Sequence, residues 1–209
     1  MATHTIDSHQ HFWQLIRGDY EWLTDDLAML YRDFLPEHFD HHIAAANVAK
    51  TVVVQAAPTD AETDFIFTMA ESTEFIGGVV GWVNMESGSA IERLKTLSEN
   101  PWFKGIRPMI QDIEDDNWML KPELQPAFEG LIELNLSFEA LVLPRHLQNL
   151  KTLLKRYPEL KVVVNHGAKP DIASEAWQPW AEQMTSIGED THACCKLSGL
   201  LTEAGERTE

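Results

Sequence analysis

Asp7, His9 and His11 alternate within Ile6-Asp7-Ser8-His9-Gln10-His11-Phe12-Trp13. Successive strand side chains point to opposite faces, so residues two apart share one. As a strand, this segment lines the three groups along one side, and two imidazoles so spaced can grip a single divalent ion. A third imidazole, His166, stands in Val164-Asn165-His166-Gly167, and a cation, Arg107, in Gly105-Ile106-Arg107-Pro108-Met109. Histidines from two strands converging on one mouth would make a metal triad.

Such groups need a frame that brings them together. Candidate strands cover 5–12, 51–56, 76–84, 104–109, 137–143, 161–166 and 192–198. Runs such as Val52-Val53-Val54 and Val162-Val163-Val164 do not alternate with polar residues, which suits parallel strands buried on both faces. Between them lie amphipathic segments with helix signals. Pro36 opens one that Asn47 stops, and Thr59 to Glu62 and Ser89 to Glu92 fit the capping-box pattern. Leu147, Leu150 and Leu154 form an apolar stripe after Pro144; further helices are expected over 121–134 and 176–187, ending at Asn135 and Gly188.

Strict alternation of strand and helix predicts an α/β fold, a (β/α)8 TIM barrel forming one domain over 1–209. The competitor, a doubly wound open sheet, lacks a Gly-rich phosphate loop after its first strand. A barrel of this type usually takes roughly 250 residues. Strand eight has no sequence before Glu209, so the fold is expected to be truncated after strand seven and the native product to continue.

Barrel active groups sit at the C-terminal ends of strands. That places His9 and His11 after strand one, Gln55 after strand two, Asn84 after strand three, Arg107 after strand four and His166 after strand six. Lys196 and Ser198 lie on strand seven, and His146 near the start of the helix after Pro144. Each has a plainer alternative. A strand-end His is commonly a hydrogen-bonded structural residue, Arg107 could be an ion-pair partner, and His146 could cap its helix. Gln55 and Asn84 could be structural, and His38, His41 and His42 read as a solvated helical face. Trp13, Trp22 and Trp118 lie where aromatics flank a ring or cover a barrel top. The stretch 14–35 exceeds an ordinary βα loop and is expected to act as a lid.

The net charge is −17 and the sequence pI about 4.8, which argues against nucleic acid or anionic membrane as partners. The opening Met-Ala-Thr-His-Thr lacks the marks of a secretory signal, and no apolar run reaches membrane-spanning length; a cytoplasmic location is expected. Adjacent Cys194 and Cys195 do not suit an ordinary disulfide. Composition leaves oligomeric state open.

Ile6 to Trp13, Gly105-Ile106-Arg107-Pro108, Val164-Asn165-His166-Gly167-Ala168-Lys169-Pro170 and Cys195-Lys196-Leu197-Ser198-Gly199-Leu200 occur in that order. Together they resemble the amidohydrolase superfamily, in its amidohydrolase-related branch of sugar-lactone and pyrone-lactone hydrolases, of the L-fuconolactonase and L-rhamnonolactonase type. The resemblance spans nearly the whole chain. It implies a hydrolase that opens a small-molecule lactone with activated water, His166 and Arg107 being catalytic. Arg107 would bind the lactone carbonyl or a substrate carboxylate, and Gln55, Asn84, Trp13 and His146 would bind substrate. His9, His11 and His166 would hold one divalent metal, zinc foremost, although some lactonases of this branch work without one. The strand-five His and bridging Lys of binuclear members are missing, since strand five reads Ser137-Phe138-Glu139-Ala140-Leu141. The strand-eight Asp, the implied general base, has no counterpart before Glu209. Decarboxylases share the branch and give the rival enzyme reading; a non-catalytic barrel is the rival outside enzymes.

Overall fold

The computed structural model describes residues 5–205. Its strands are β1 (Thr5–Gln10), β2 (Val48–Val54), β3 (Ile76–Gly81), β4 (Phe103–Ile106), β5 (Ser137–Ala140), β6 (Lys161–Val164) and β7 (Cys194–Cys195). Strand order in the sheet follows chain order. The helices are α1 (Pro36–Ala45), α2 (Asp60–Ser72), α3 (Ala90–Ser98), α4 (Gln125–Glu133), α5 (Leu147–Arg156) and α6 (Trp180–Asp190). The chain forms two compact units, Met1–Val83 with Leu97–Lys104, and Asn84–Thr96 with Gly105–Glu209.

In the first unit, β1, β2 and β3 pair in parallel. Val53, Val54, Val79 and Ile66 are fully buried, as the continuous apolar runs predict. β2 starts at Val48, three residues before the predicted start at 51, because Val48 and Lys50 pair with Thr5 and Ile6. β1 stops at Gln10, short of the predicted 12. Trp13 leaves the parallel ladder to exchange two backbone hydrogen bonds with Phe34, at 2.9 and 3.0 Å. That bridge closes the neck of 14–35, which has a core of its own made by Trp13, Tyr20 and Leu23 against Ala56 and Ala57.

Half of the predicted capping box at α2 forms. Thr59 accepts from Glu62 N at 3.1 Å, but the Glu62 carboxylate turns away from the helix end. It is fully buried, accepts from Ala56 N at 2.9 Å and from Tyr20 OH at 2.8 Å, and lies 3.4 Å from Arg17. Burial holds this carboxyl above its usual range, against the donors that surround it. The network ties 14–35 to the end of β2.

In the second unit, β4 pairs with β5, β5 with β6 and β6 with β7, all parallel. The β4–β5 contact requires Gly105, where a Cβ would lie 2.2 Å from Ser137 O. The stripe on α5 is buried at Leu147, Leu150 and Leu154, with Leu153 added. Helix 121–134 is split into a 3-10 turn at Pro122–Leu124 followed by α4, and the left-handed Asn135 (φ 57°) ends it. α6 runs on to Asp190, past the predicted stop at Gly188, since an exposed glycine weakens a helix without ending it.

The predicted strands 76–84, 104–109, 137–143, 161–166 and 192–198 all overran. Observed pairing ends at Gly81, Ile106, Ala140, Val164 and Cys195. Arg107, His166 and Ser198 therefore sit just beyond the ladder, where the chain is free to turn and aim a side chain. Both cysteines carry free, exposed thiols.

Candidate active site

The first unit supplies an imidazole pair. Asp7 is level with Thr51 and Gln10 with Val53, so Ser8 and His9 together oppose Val52, a one-residue bulge in β1. The even row of Asp7, His9 and His11 expected from simple alternation is thus corrected. Asp7 Oδ1 instead accepts from His9 N at 3.0 Å and holds the bulge. The bulge re-aims His9 at His11, and their Nε2 atoms stand 3.1 Å apart with the rings nearly perpendicular, at 80°. His11 Nδ1 lies 2.7 Å from Val54 O. A carbonyl only accepts, so Nδ1 carries the proton and His11 Nε2 carries a lone pair.

This pair fits a divalent ion as two of its ligands. Zinc–imidazole bonds of about 2.0–2.1 Å at a tetrahedral angle put two donor nitrogens roughly 3.3 Å apart, close to the spacing observed. His9 needs only to change tautomer. Among the described residues, no cluster of three His, Cys, Asp or Glu suited to a metal occurs.

Gln55 follows β2 directly, with its N donating to Val80 O at 2.8 Å and its side chain fully buried. Trp13 is buried as well, and its indole N–H donates to Arg32 O at 2.8 Å. Trp22 donates to Ala56 O at 2.9 Å. Both indole N–H groups are engaged in holding 14–35 in place.

The second unit gathers charge around a histidine. Arg107 is 3% exposed, one residue past β4. His166 is half-buried just beyond β6, and its Nδ1 lies 2.9 Å from Ser198 Oγ. Burial, aided by the positive charges of Arg107, Lys169 and Lys196, lowers its pKa to about 4 against the pull of Ser198. The imidazole is neutral at neutral pH.

His146 is fully buried and caps its own turn: Leu143 N donates to Nδ1 at 3.0 Å, and Asp116 lies 3.3 Å from Nε2. Burial and Arg145 depress its pKa despite Asp116. Asn84 is exposed and accepts from Glu86 N at 3.2 Å. His38, His41 and His42 are exposed on α1, and Leu35 N donates to His38 Nδ1 at 3.1 Å.

Sequence reasoning missed Glu139 and Asn165. Glu139 on β5 is buried, receives Lys196 Nζ on both carboxylate oxygens at 2.6 Å, and accepts from Asn165 Nδ2 at 3.0 Å. A carboxylate inside an apolar strand was the visible signal. Its partner lies 57 residues further on, which no local pattern reveals.

A buried guanidinium beside a neutral imidazole in one unit, and two imidazoles at a spacing that suits two ligands of one ion in the other, are groups a metal-assisted or electrostatically assisted hydrolase can use. The Amidohydrolase family matches residues 6–209, and the chain belongs to that family. It is 43% identical to an L-fucono-1,5-lactonase of Burkholderia ambifaria, over 97% of this chain and 70% of that protein. An L-fucono-1,5-lactonase of Burkholderia multivorans is 29% identical, over 99% of this chain and 72% of the relative. A crystal structure of a Burkholderia multivorans amidohydrolase with bound zinc matches with a TM-score of 0.91 and 28% identity, over 97% of this chain and 72% of that one. The fold is the (β/α)8 barrel of amidohydrolase type, present here through its seventh strand. No helix among the described residues is long and apolar enough to cross a membrane.

Proposed function

We propose that this chain hydrolyses the ring ester of a sugar-derived aldonolactone of the L-fucono-1,5-lactone kind. The 43% identity to a lactonase of that name, over 97% of the chain, carries the reading. Water adds to the lactone carbonyl, the carbonyl oxygen takes up negative charge, and as the ring C–O bond breaks the proton lost by the water ends on the ring oxygen, giving a hydroxy acid.

Arg107, buried and permanently charged, stabilises the oxygen that becomes negative. His166 orients the attacking water through a hydrogen bond. Its lowered pKa, about 4, keeps the imidazole neutral and able to hydrogen-bond that water. His9 and His11 would hold a divalent ion, zinc foremost. When bound, that ion would supply Lewis acidity and lower the pKa of its water. His11 is oriented for this by Val54 O, and His9 by the bulge that Asp7 maintains. Gln55, Asn84, Trp13 and His146 are the residues assigned to substrate binding in this reading.

A panel of aldono-1,5-lactones and aldono-1,4-lactones, followed by acid release and by proton NMR of the product, tests the proposal. Ring opening faster than the spontaneous rate, favouring a six-membered 6-deoxysugar lactone, is expected. Acid release at the spontaneous rate across the panel would overturn it, and carbon dioxide from an aromatic carboxylate would redirect it to decarboxylation. Dialysis against a chelator, then zinc addition, is expected to lower and restore the rate.

A further inference from the structure

His166, Gly167, Ala168 and Lys169 have φ values of 52°, 59°, 59° and 50°, a full left-handed turn. Only glycine enters that region freely, so the turn is strained and persists because its surroundings hold it. β7 does much of the holding. Lys196 N donates to Val164 O at 2.9 Å and Gly167 N donates to Lys196 O at 3.2 Å, so the residue that follows β7 brackets His166 from both sides. Trp180 adds a hydrogen bond to Gly167 O at 2.7 Å. Gly199 leaves room for the imidazole, since a Cβ there would lie 2.7 Å from His166 Nδ1.

The side chain of Lys196 secures the same region from below. Its side chain is 8% exposed, and the ammonium sits on the buried Glu139 carboxylate, which also binds the side-chain amide of Asn165, the residue immediately before His166. A buried ion pair adds little net stability over an apolar pair of equal volume. Its value lies in direction, because it fixes β5, β7 and Asn165 in a single arrangement.

We propose that Lys196 and Glu139 are positioning residues for His166, a buried charge clamp that locks the left-handed turn and thereby fixes where the imidazole points. The catalytic half of this proposal rests on the lactonase reading above; the structural half does not.

The double variant Glu139→Gln/Lys196→Met removes both charges together, so no ion is left buried alone, and the amide oxygen that replaces the carboxylate still accepts from Asn165. Two quantities are read on the full chain: kcat and KM with an aldonolactone, and hydrogen exchange at the Gly167 and Lys169 amides. Expected are a fall in kcat of about a hundredfold with KM within about twofold, as for a misplaced group acting in the transition state, and faster exchange at both amides. Unchanged exchange overturns the clamp whatever the kinetics. Faster exchange with unchanged kcat overturns the catalytic half. Faster exchange in a chain whose wild type opens no lactone supports the clamp and sinks the lactonase reading. Should the double variant not fold, Glu139→Asp keeps both charges, draws the carboxylate back, and is read by the same two criteria.

Discussion

His9 and His11 differ in what orients them, and that difference sets what each substitution does. His11 has Nδ1 fixed on Val54 O, so its Nε2 is presented ready-made, whereas His9 depends on the bulge and can switch tautomer. His11→Asn is expected to lower kcat/KM for lactone by about a hundredfold and to weaken zinc binding by about tenfold or more, as loss of an oriented ligand does, checked by steady-state kinetics and calorimetry with zinc. Asp7→Ala, which releases the bulge without touching an imidazole, should lower activity less. His166 gives a pH signature. Its pKa is about 4 folded against an ordinary 6.5, so between those values the unfolded chain takes up a proton that the folded chain refuses. Stability therefore falls as pH drops through that window, and the contribution is constant above 6.5 and below about 4. Urea unfolding at pH 7.5 and 5.0, roughly one unit outside and inside the window, should show a smaller drop for His166→Asn than for wild type. NMR should show the His166 ring shifts holding constant until about pH 5.

At the scale of elements, local rules worked where burial alone decides and failed where a partner strand decides. Val52-Val53-Val54 and Val162-Val163-Val164 declare parallel buried strands, and both are found. The β1 bulge was not visible, because it exists only in register against Thr51 and Val53. Strand ends were overrun because the polar residues that follow them read as continuations, although they turn out of the ladder. The length of 14–35 was legible, while its inner core of Trp13, Tyr20 and Leu23 was not, since the alternative of an open lid has the same composition. Two element-scale outcomes follow from the structure. Tyr20→Phe leaves one oxygen of buried Glu62 without its hydroxyl donor and should cost about 1–3 kcal/mol, with faster amide exchange across 14–35. Ala168→Gly relieves a left-handed residue and should stabilise the chain by about 1 kcal/mol, a rise in Tm of about 2–4 °C by calorimetry.

The whole molecule carries a net charge of −17, and the groups assigned to catalysis under the proposed function are local exceptions to that field. Arg107, Lys169 and Lys196 concentrate positive charge around His166, and an electron-rich carbonyl or a product carboxylate is the kind of ligand such a pocket of charge attracts. A net negative charge of this size opposes polyanions, which predicts that duplex DNA at about 150 mM salt gives no change in fluorescence anisotropy. Order along the chain made the family legible, because His-x-His, Arg107 and His166 follow strands one, four and six in turn, while the Glu139–Lys196 pair joins strands that are not sequence neighbours. The most direct measurement is the initial rate of acid release from an L-fucono-1,5-lactone-type substrate in a pH-stat, wild type beside His11→Asn at equal concentration. The predicted result is a wild-type rate proportional to protein and well above spontaneous opening, with most of the increment gone in the variant. A wild-type rate no greater than the buffer blank, or a variant as fast as wild type, would contradict it.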